Sequence, residues 1–263
     1  MKSYVTKNPF FSIVTCTLNS EEFIEKNIKS VQTQTLTNYE HIFVDGYSDD
    51  DTREILEKYR KKHSNIVKIV LQNPKGISVA MNKGIKMAKG EYIIHLHSDD
   101  SFYDQNVLEH VRIFLINNNF PDWIYGKIMV IEKNGKRVGT FPNQNVFHNA
   151  NDHLLKLINY IPHQSVFIKK KVFYLFGFFD ESLVSSMDYD LWLKIATKTR
   201  WLFINRVISN FTVHKNSQSS DRNKIQINNK EQIKVVKKHL NITEYLLHLL
   251  VKLFLDAYNR TRR

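Results

Sequence analysis

The chain has 263 residues, 38 Lys and Arg against 26 Asp and Glu, and a formal charge of +12. Its 42% apolar and 24% charged residues exclude a disordered or collagen-like chain. One cysteine, Cys16, excludes an intrachain disulfide and a cysteine-held metal cluster, and no apolar run reaches the ~18 residues of a membrane span. The opening MKSYVTKNPF lacks the apolar centre of a signal peptide. A soluble or surface-bound protein of the reducing cytoplasm is expected, and the sequons at Asn210 and Asn241 read as chance matches.

The charge is uneven. From Trp201 onward twelve basic side chains face four acidic ones, a net +8, which leaves +4 for the first 200 residues. A basic tail points to an acidic partner, with nucleic acid and an anionic lipid surface the two candidates.

In chain order, Phe10–Thr17 is apolar and β-branched, the pattern of a buried strand. Ser20 with Glu21 and Glu22 opens a helix to about Gln32. Tyr39–Val44 predicts the next strand, and Asp49–Asp51 open a helix with Ile55, Leu56 and Tyr59 inward. Val67–Leu71 is a third strand. Ile77–Ala88 is a third helix, closed by Gly90. Tyr92–Leu96 is a fourth strand, and a helix follows from Asp104 to Ile116. Strands alternating with helices predict βαβ crossovers and an α/β fold with a parallel sheet. Asn19, Asp45, Lys75 and Asp99-Asp100 then gather at the C-terminal strand ends, where open α/β sheets bind ligands.

The second half predicts a hairpin, Trp123–Glu132 with Arg137–Phe141, turning at Asn134-Gly135. A short helix at Asp152–Asn159, a strand at Gln164–Ile168, a helix at Met187–Ala196 and a last strand at Trp201–Ile208 follow. The polar stretch His214–Asn229 reads as a mobile loop. Helices at Lys230–His239 and Thr243–Asn259 finish the chain. Trp123, Trp192 and Trp201 are assigned to the core.

GxxxxGK[ST] is absent, and no GxGxxG follows the first strand, so phosphate binding needs a metal or basic side chains. Asp99 and Asp100 end an apolar strand. Hard paired oxygens there suit Mg²⁺ or Mn²⁺, which take one or two carboxylates plus substrate phosphates; a helix cap is the plainer reading. Asp188 and Asp190 precede Leu191-Trp192-Leu193, where one acid can cap the helix and another enter a cleft as a general base.

Taken together, IVTCTLN (Ile13–Asn19), Val44-Asp45-Gly46-Tyr47-Ser48-Asp49, Lys75-Gly76-Ile77, the stretch from Ala80 to Ile93, Ser98-Asp99-Asp100, Pro162-His163-Gln164, Gly177–Glu181 and Met187–Leu193 resemble family 2 glycosyltransferases of the GT-A fold. The resemblance covers about Phe10 to Phe211. It implies a nucleotide-sugar donor, a divalent Mn²⁺ or Mg²⁺, and inversion at the anomeric carbon. By the same resemblance, Thr15, Cys16 and Leu18 hold base and ribose, Asp45 contacts the nucleoside, and Lys75 and Asn82 line the donor pocket with Ser98 and Asp100. Asp99 binds the metal, Asp188 is the catalytic base, and His163, Gln164 and Asp190 lie on the acceptor side. His97 stands where the family often has the first acid of Asp-x-Asp. It can ligate metal, bond the ribose or fill space. His214 can touch metal or diphosphate, with solvent its default neighbour.

The expected organisation is a glycosyltransferase domain over residues 1–212, nucleotide-sugar half 1–100 and acceptor half 101–212. A flexible loop and basic amphipathic helices over 213–263 follow it. The last helix gathers Ile242, Tyr245, Leu246, Leu249, Leu250, Leu253 and Phe254 on one broad face. That suits an anionic membrane surface at the inner face of the cell membrane, or packing on the domain or a second subunit in a homodimer. The acceptor is then a glycan or lipid-linked glycan of surface polysaccharide or lipopolysaccharide type. A nucleotidyltransferase is the alternative enzyme, opposed by Asp-Tyr-Asp-Leu-Trp-Leu. A nucleic-acid-binding protein has only the charge in its favour.

Overall fold

The computed structural model describes residues 8–142, 151–214 and 222–260. Its first half alternates as expected: β1 (Phe11–Thr17), α1 (Glu21–Gln32), β2 (Tyr39–Asp45), α2 (Thr52–Lys62), β3 (Val67–Leu71), α3 (Ile77–Met87) and β4 (Tyr92–His95). These four strands are mutually parallel in the order β3-β2-β1-β4. Every residue of β1 and β2 is buried. Helices cover both faces, so these strands are apolar throughout rather than alternating. Gly84 sets the closest helix approach, since a Cβ there would overlap the Val14 methyl on β1. A Cβ on Gly90 would meet the Ser12 backbone at 2.6 Å.

Beyond β4 the strand directions become mixed. β5 (Ser101–Phe102) and α4 (Val107–Asn117) precede the long β6 (Trp123–Glu132). β6 pairs with β7 (Arg137–Phe141) in the expected hairpin, with Gly135 at φ 87° in its turn. α5 (Asp152–Leu157) and a 3₁₀ turn at His163–Ser165 lead to β8 (Val166–Lys169), antiparallel to both β4 and β6. α6 (Lys170–Phe176) and α7 (Met187–Ile195) come next, then β9 (Trp201–Val213), parallel to β6. The strand order is β3-β2-β1-β4-β8-β6-β9-β5, and β7 pairs the second half of β6 along the edge whose first half pairs β8. Trp192, Trp123 and Trp201 stack in that sequence, ring centroids 5.3 and 4.9 Å apart, tying α7 to the sheet. Such offset aromatic pairs add to the area they bury.

Two expectations need correction. The last strand does not stop at Ile208 but runs to Val213, because its second half pairs with β6 residues Ile128–Glu132. The mobile loop expected over His214–Asn229 is helical from Arg222, where α8 (Arg222–His239) begins; residues 215–221 lie outside the described residues. The start of α8 has little apolar periodicity of its own. The helix is held from Asn228 onward, by polar bonds to the chain before α7 and by Val235 and Val236, at 2% and 0% exposure. Val235 belongs to the same core cluster as Trp123 and Trp192. α9 (Ile242–Arg260) ends the described chain and packs on α5. Among the described residues no helix is long and apolar enough to cross a membrane.

Candidate active site

A cleft of about 910 Å³ opens at the C-terminal ends of the parallel strands. Four chain segments build one wall. The end of β1 and the turn after it supply Cys16, Leu18 and Asn19; the turn after β3 supplies Gln72, Asn73 and Pro74; β4 runs out into His97, Ser98, Asp99 and Asp100; and α1 contributes Phe23. His163, Gln164, Met187 and Asp188 enter from the other half of the sheet, with Phe211 and His214 from β9 and its end.

The turn after β1 is knitted to the turn after β2, whose Gly46 and Asp50 also line the cleft. Asn19 and Tyr47 take left-handed backbone conformations, φ 49° and 62°. The Asn19 N–H donates to the Ser48 hydroxyl at 2.9 Å, and the Asp49 N–H to the Asn19 side chain at 3.0 Å. Asp45 is fully buried beneath them. It accepts from the Ser48 N–H (2.9 Å), the Ser48 hydroxyl (2.6 Å) and the Thr17 hydroxyl (2.8 Å).

Asp99 stands in a turn that Asn27 holds from below. The Asn27 amide donates to the carbonyls of His97 (2.8 Å) and Asp100 (3.1 Å). Asp99 Oδ2 lies 3.0 Å from His214 Nε2, whose ring stacks on Phe23 at 4.8 Å. His214 is therefore half-buried between named partners and does not simply face solvent. Asp100 is only 1% exposed, and its Oδ2 has no hydrogen-bond partner. Burial, and then the Asp99 charge, holds its carboxyl well above the usual range. Among the described residues no group of three or more His, Cys, Asp and Glu side chains converges as a complete cage. The carboxylate–imidazole pair still fits a hard divalent ion that takes its remaining ligands from phosphate and water.

His97 and His163 line the floor of the cleft, and His95 is buried behind them. His163 stacks between His95 and His97, centroids 5.4 and 5.3 Å away. Burial pulls His95 down to about 3 and lowers the other two, so the ladder is neutral. Both ring nitrogens of His163 are buried without hydrogen-bond partners. Across from them Asp188 opens α7. Burial raises its carboxyl to about 6, against the lowering effect of the Tyr189 N–H, which it accepts at 2.7 Å.

The structure brings together Cys16, Leu18, Ser98, Asp99, Asp100, His97, His163, Gln164, Asp188 and His214. The other candidates do not line the cleft. Thr15 is buried, donating to the Leu96 carbonyl at 2.8 Å. Asn82 bridges to the Phe179 carbonyl at 2.9 Å and to Glu181 at 3.0 Å. Lys75 is exposed between Pro74 and Gly76, which do line the cleft. Asp190 is fully buried away from the cleft, against Lys238 (2.9 Å) and His239 (2.8 Å) of α8. Burial also pushes the Cys16 thiol up to about 12, so it lines the cleft as an inert apolar group. Sequence reading missed Gln72, Asn73 and Phe211, although their place at strand ends marks them.

The profile of glycosyl transferase family 2 matches residues 12–175, and the chain belongs to that family. The match ends before α7 and Asp188. An uncharacterized glycosyltransferase of Rickettsia bellii is 31% identical over 228 residues, covering 85% of this chain and 32% of that protein. The chain thus spans about a third of that relative's length. Among solved structures, S. aureus TarS 1–349 in complex with UDP-GlcNAc superposes with a TM-score of 0.69 at 20% identity, over 89% of this chain and 69% of that one. The mannosyltransferase PcManGT of Pyrobaculum calidifontis, in complex with GDP-Man and Mn²⁺, gives 0.68 at 16% identity, over 94% and 70%. The fold is GT-A.

Proposed function

We propose that the chain is an inverting glycosyltransferase that moves a sugar, hexosyl or N-acetylhexosaminyl, from a nucleotide-diphosphate donor to a hydroxyl of a glycan or lipid-linked acceptor. One observation carries the reading: Asp99 and Asp188, from opposite halves of the sheet, line a single cleft beside the neutral histidine floor. The donor bound by S. aureus TarS in the structure described above, UDP-GlcNAc, makes a UDP-sugar the first to test.

In this reading the turns after β1 and β3 receive the nucleoside, with Asp45 acting one layer behind as the brace of the first turn. Asp99 and His214 are the residues that would hold Mn²⁺ or Mg²⁺. When bound, such an ion screens the diphosphate charge and makes the nucleotide a better leaving group. Asp188, poised near 6, takes the proton of the acceptor hydroxyl while that oxygen bonds to the anomeric carbon and the carbon–diphosphate bond breaks on the opposite face. His163, with two unpaired ring nitrogens at the floor, offers a donor or acceptor to a sugar hydroxyl.

The same proposal gives the enzyme an address. Ile242, Leu250, Leu253 and Phe254 are 63–71% exposed along α9. An anionic bilayer suits this face better than a second copy, because two copies would bring two +8 segments together.

A thermal-shift screen of the purified protein against UDP-, GDP- and dTDP-sugars, with and without Mn²⁺, tests the donor class. A true donor stabilises the fold by RT ln(1 + [L]/Kd). Stabilisation by one nucleotide sugar, followed by transfer to a glycan acceptor, is expected. No stabilisation by any of them overturns the reading.

A further inference from the structure

α8 lies in the part of the chain that the family profile does not match. Its Glu231 carboxylate accepts three successive backbone N–H groups: Val184 at 2.8 Å, Ser185 at 2.9 Å and Ser186 at 3.0 Å. The Ser185 hydroxyl adds a fourth bond at 3.2 Å. One turn earlier in α8, Asn228 accepts the Ser186 hydroxyl at 2.8 Å. Val184–Ser186 is the approach to α7. Ser186 sits at its N-cap position yet makes no side-chain cap bond to the helix. The donors of this approach are satisfied from a segment 45 to 47 residues further along the chain.

A second contact lies two turns along α8. Lys238 and His239 bond the buried Asp190 carboxylate of α7 at 2.9 and 2.8 Å, and Lys194 of α7 approaches its other oxygen at 3.6 Å. Asp190 is thereby neutralised where it cannot reach the cleft. α7 is gripped at its entry and along its first turns. Asp188 lies between the two grips, and Val184, Ser185 and Met187 line the cleft beside it.

We infer that Glu231 is a positioning residue for the reaction: its carboxylate fixes the Val184–Ser186 backbone and through it the place of Asp188 in the cleft. The inference rests on the reading of Asp188 as the base. A carboxylate bonded to several N–H groups makes stronger, more directional bonds than neutral acceptors do. Base catalysis is sensitive to placement, because a displacement of about 1 Å can cost about 10²-fold in rate. The basic C-terminal stretch thus reaches into the catalytic half of the molecule through its one internal acid in α8.

The test uses the full chain and compares Glu231→Ala, Glu231→Gln and Asp188→Asn. Three quantities are measured: amide hydrogen exchange at Val184–Ser186, calorimetric binding of UDP with Mn²⁺, and transfer kinetics with the nucleotide sugar selected by the screen. For Glu231→Ala, exchange at those amides accelerates and kcat falls by about 10–100-fold. Donor KM and UDP affinity stay within about threefold, since the loss is confined to the transition state. Glu231→Gln, which keeps one accepting oxygen, recovers part of kcat. Unchanged exchange, or faster exchange with unchanged kcat, overturns the inference. If Glu231→Ala does not fold, Glu231→Gln and Asn228→Ala carry the same readouts. Full transfer by Asp188→Asn removes the base reading instead, and the exchange result still decides whether Glu231 holds the approach to α7.

Discussion

His214 Nε2 lies 3.0 Å from Asp99 Oδ2, although 115 residues separate them in the chain. The long β9 makes the meeting: it runs parallel to β6 as far as Val213 and delivers His214 above the turn that follows β4. Phe23 then holds the ring flat by stacking. A carboxylate and an imidazole so placed are a donor pair for a divalent ion and a hydrogen-bonded pair without one.

Asp99→Ala and His214→Ala are both expected to weaken Mn²⁺-dependent UDP binding, each by at least about tenfold. UDP binding without Mn²⁺ changes less. Calorimetric titration of UDP in the presence and absence of Mn²⁺ measures both. Equal affinities for wild type and both variants with Mn²⁺ present remove the pair from the metal role.

Asp188→Asn is expected to lower transfer by about 10²–10⁴-fold while UDP binding persists. A carboxylate in the proposed role of base works only when deprotonated, so kcat is expected to rise with pH through about 6, the value to which burial lifts this carboxyl. A kcat profile with no acid limb between pH 5 and 7, in an enzyme limited by chemistry, contradicts the role.

The same substitution should stabilise the protein. Burial raises Asp188 from 3.8 to about 6, so between those values the folded state keeps a proton that the unfolded chain has lost. Stability therefore falls as pH rises across that window, and the deficit persists at neutral pH. Asn removes the charge and retains an oxygen for the Tyr189 N–H. Urea unfolding at pH 7 should show Asp188→Asn more stable by about 1–3 kcal/mol, with the gain vanishing near pH 4. A variant no more stable than wild type at pH 7 argues against a strained, buried charge.

Vesicle flotation addresses α9. The full chain is expected to float with phosphatidylglycerol vesicles and not with phosphatidylcholine vesicles, and to detach at high salt. The triple variant Leu250→Ser, Leu253→Ser, Phe254→Ser should stay in solution, with its activity on a soluble acceptor unchanged. A dimer in solution that the triple variant dissociates gives the face to a second copy instead.

The first half of the fold is legible in the sequence because its signals agree. Each strand is a short apolar run, each helix is amphipathic, and turn residues separate them. α6 is harder: Lys170–Phe176 reads KKVFYLF, a composition that serves a strand equally well. β5 has two residues and exists only because β9 passes beside it.

At the site, a motif match locates a residue but does not orient it. Asp188 and Asp190 are two positions apart on α7, about 200° around the helix, so one faces the cleft and the other faces α8. Asn82 and Thr15, expected in the donor pocket, sit behind the wall and serve as braces. Glu231 has no local signal at all. Its partners lie 45 to 47 residues away, and only the assembled structure places them together.

All three tryptophans of the chain stand in one stack that joins α7, through its own Trp192, to the sheet. Intrinsic fluorescence of this molecule is consequently a local gauge rather than a global one. It reads the electrostatic and packing environment of the helix that carries Asp188, with no background from indoles elsewhere. A spectral shift on adding nucleotide or acceptor, with tyrosine emission excluded by red-edge excitation, reports motion at that helix. A protein without added labels can thus be followed, in a stopped-flow mixer, at the place where its chemistry is proposed to occur.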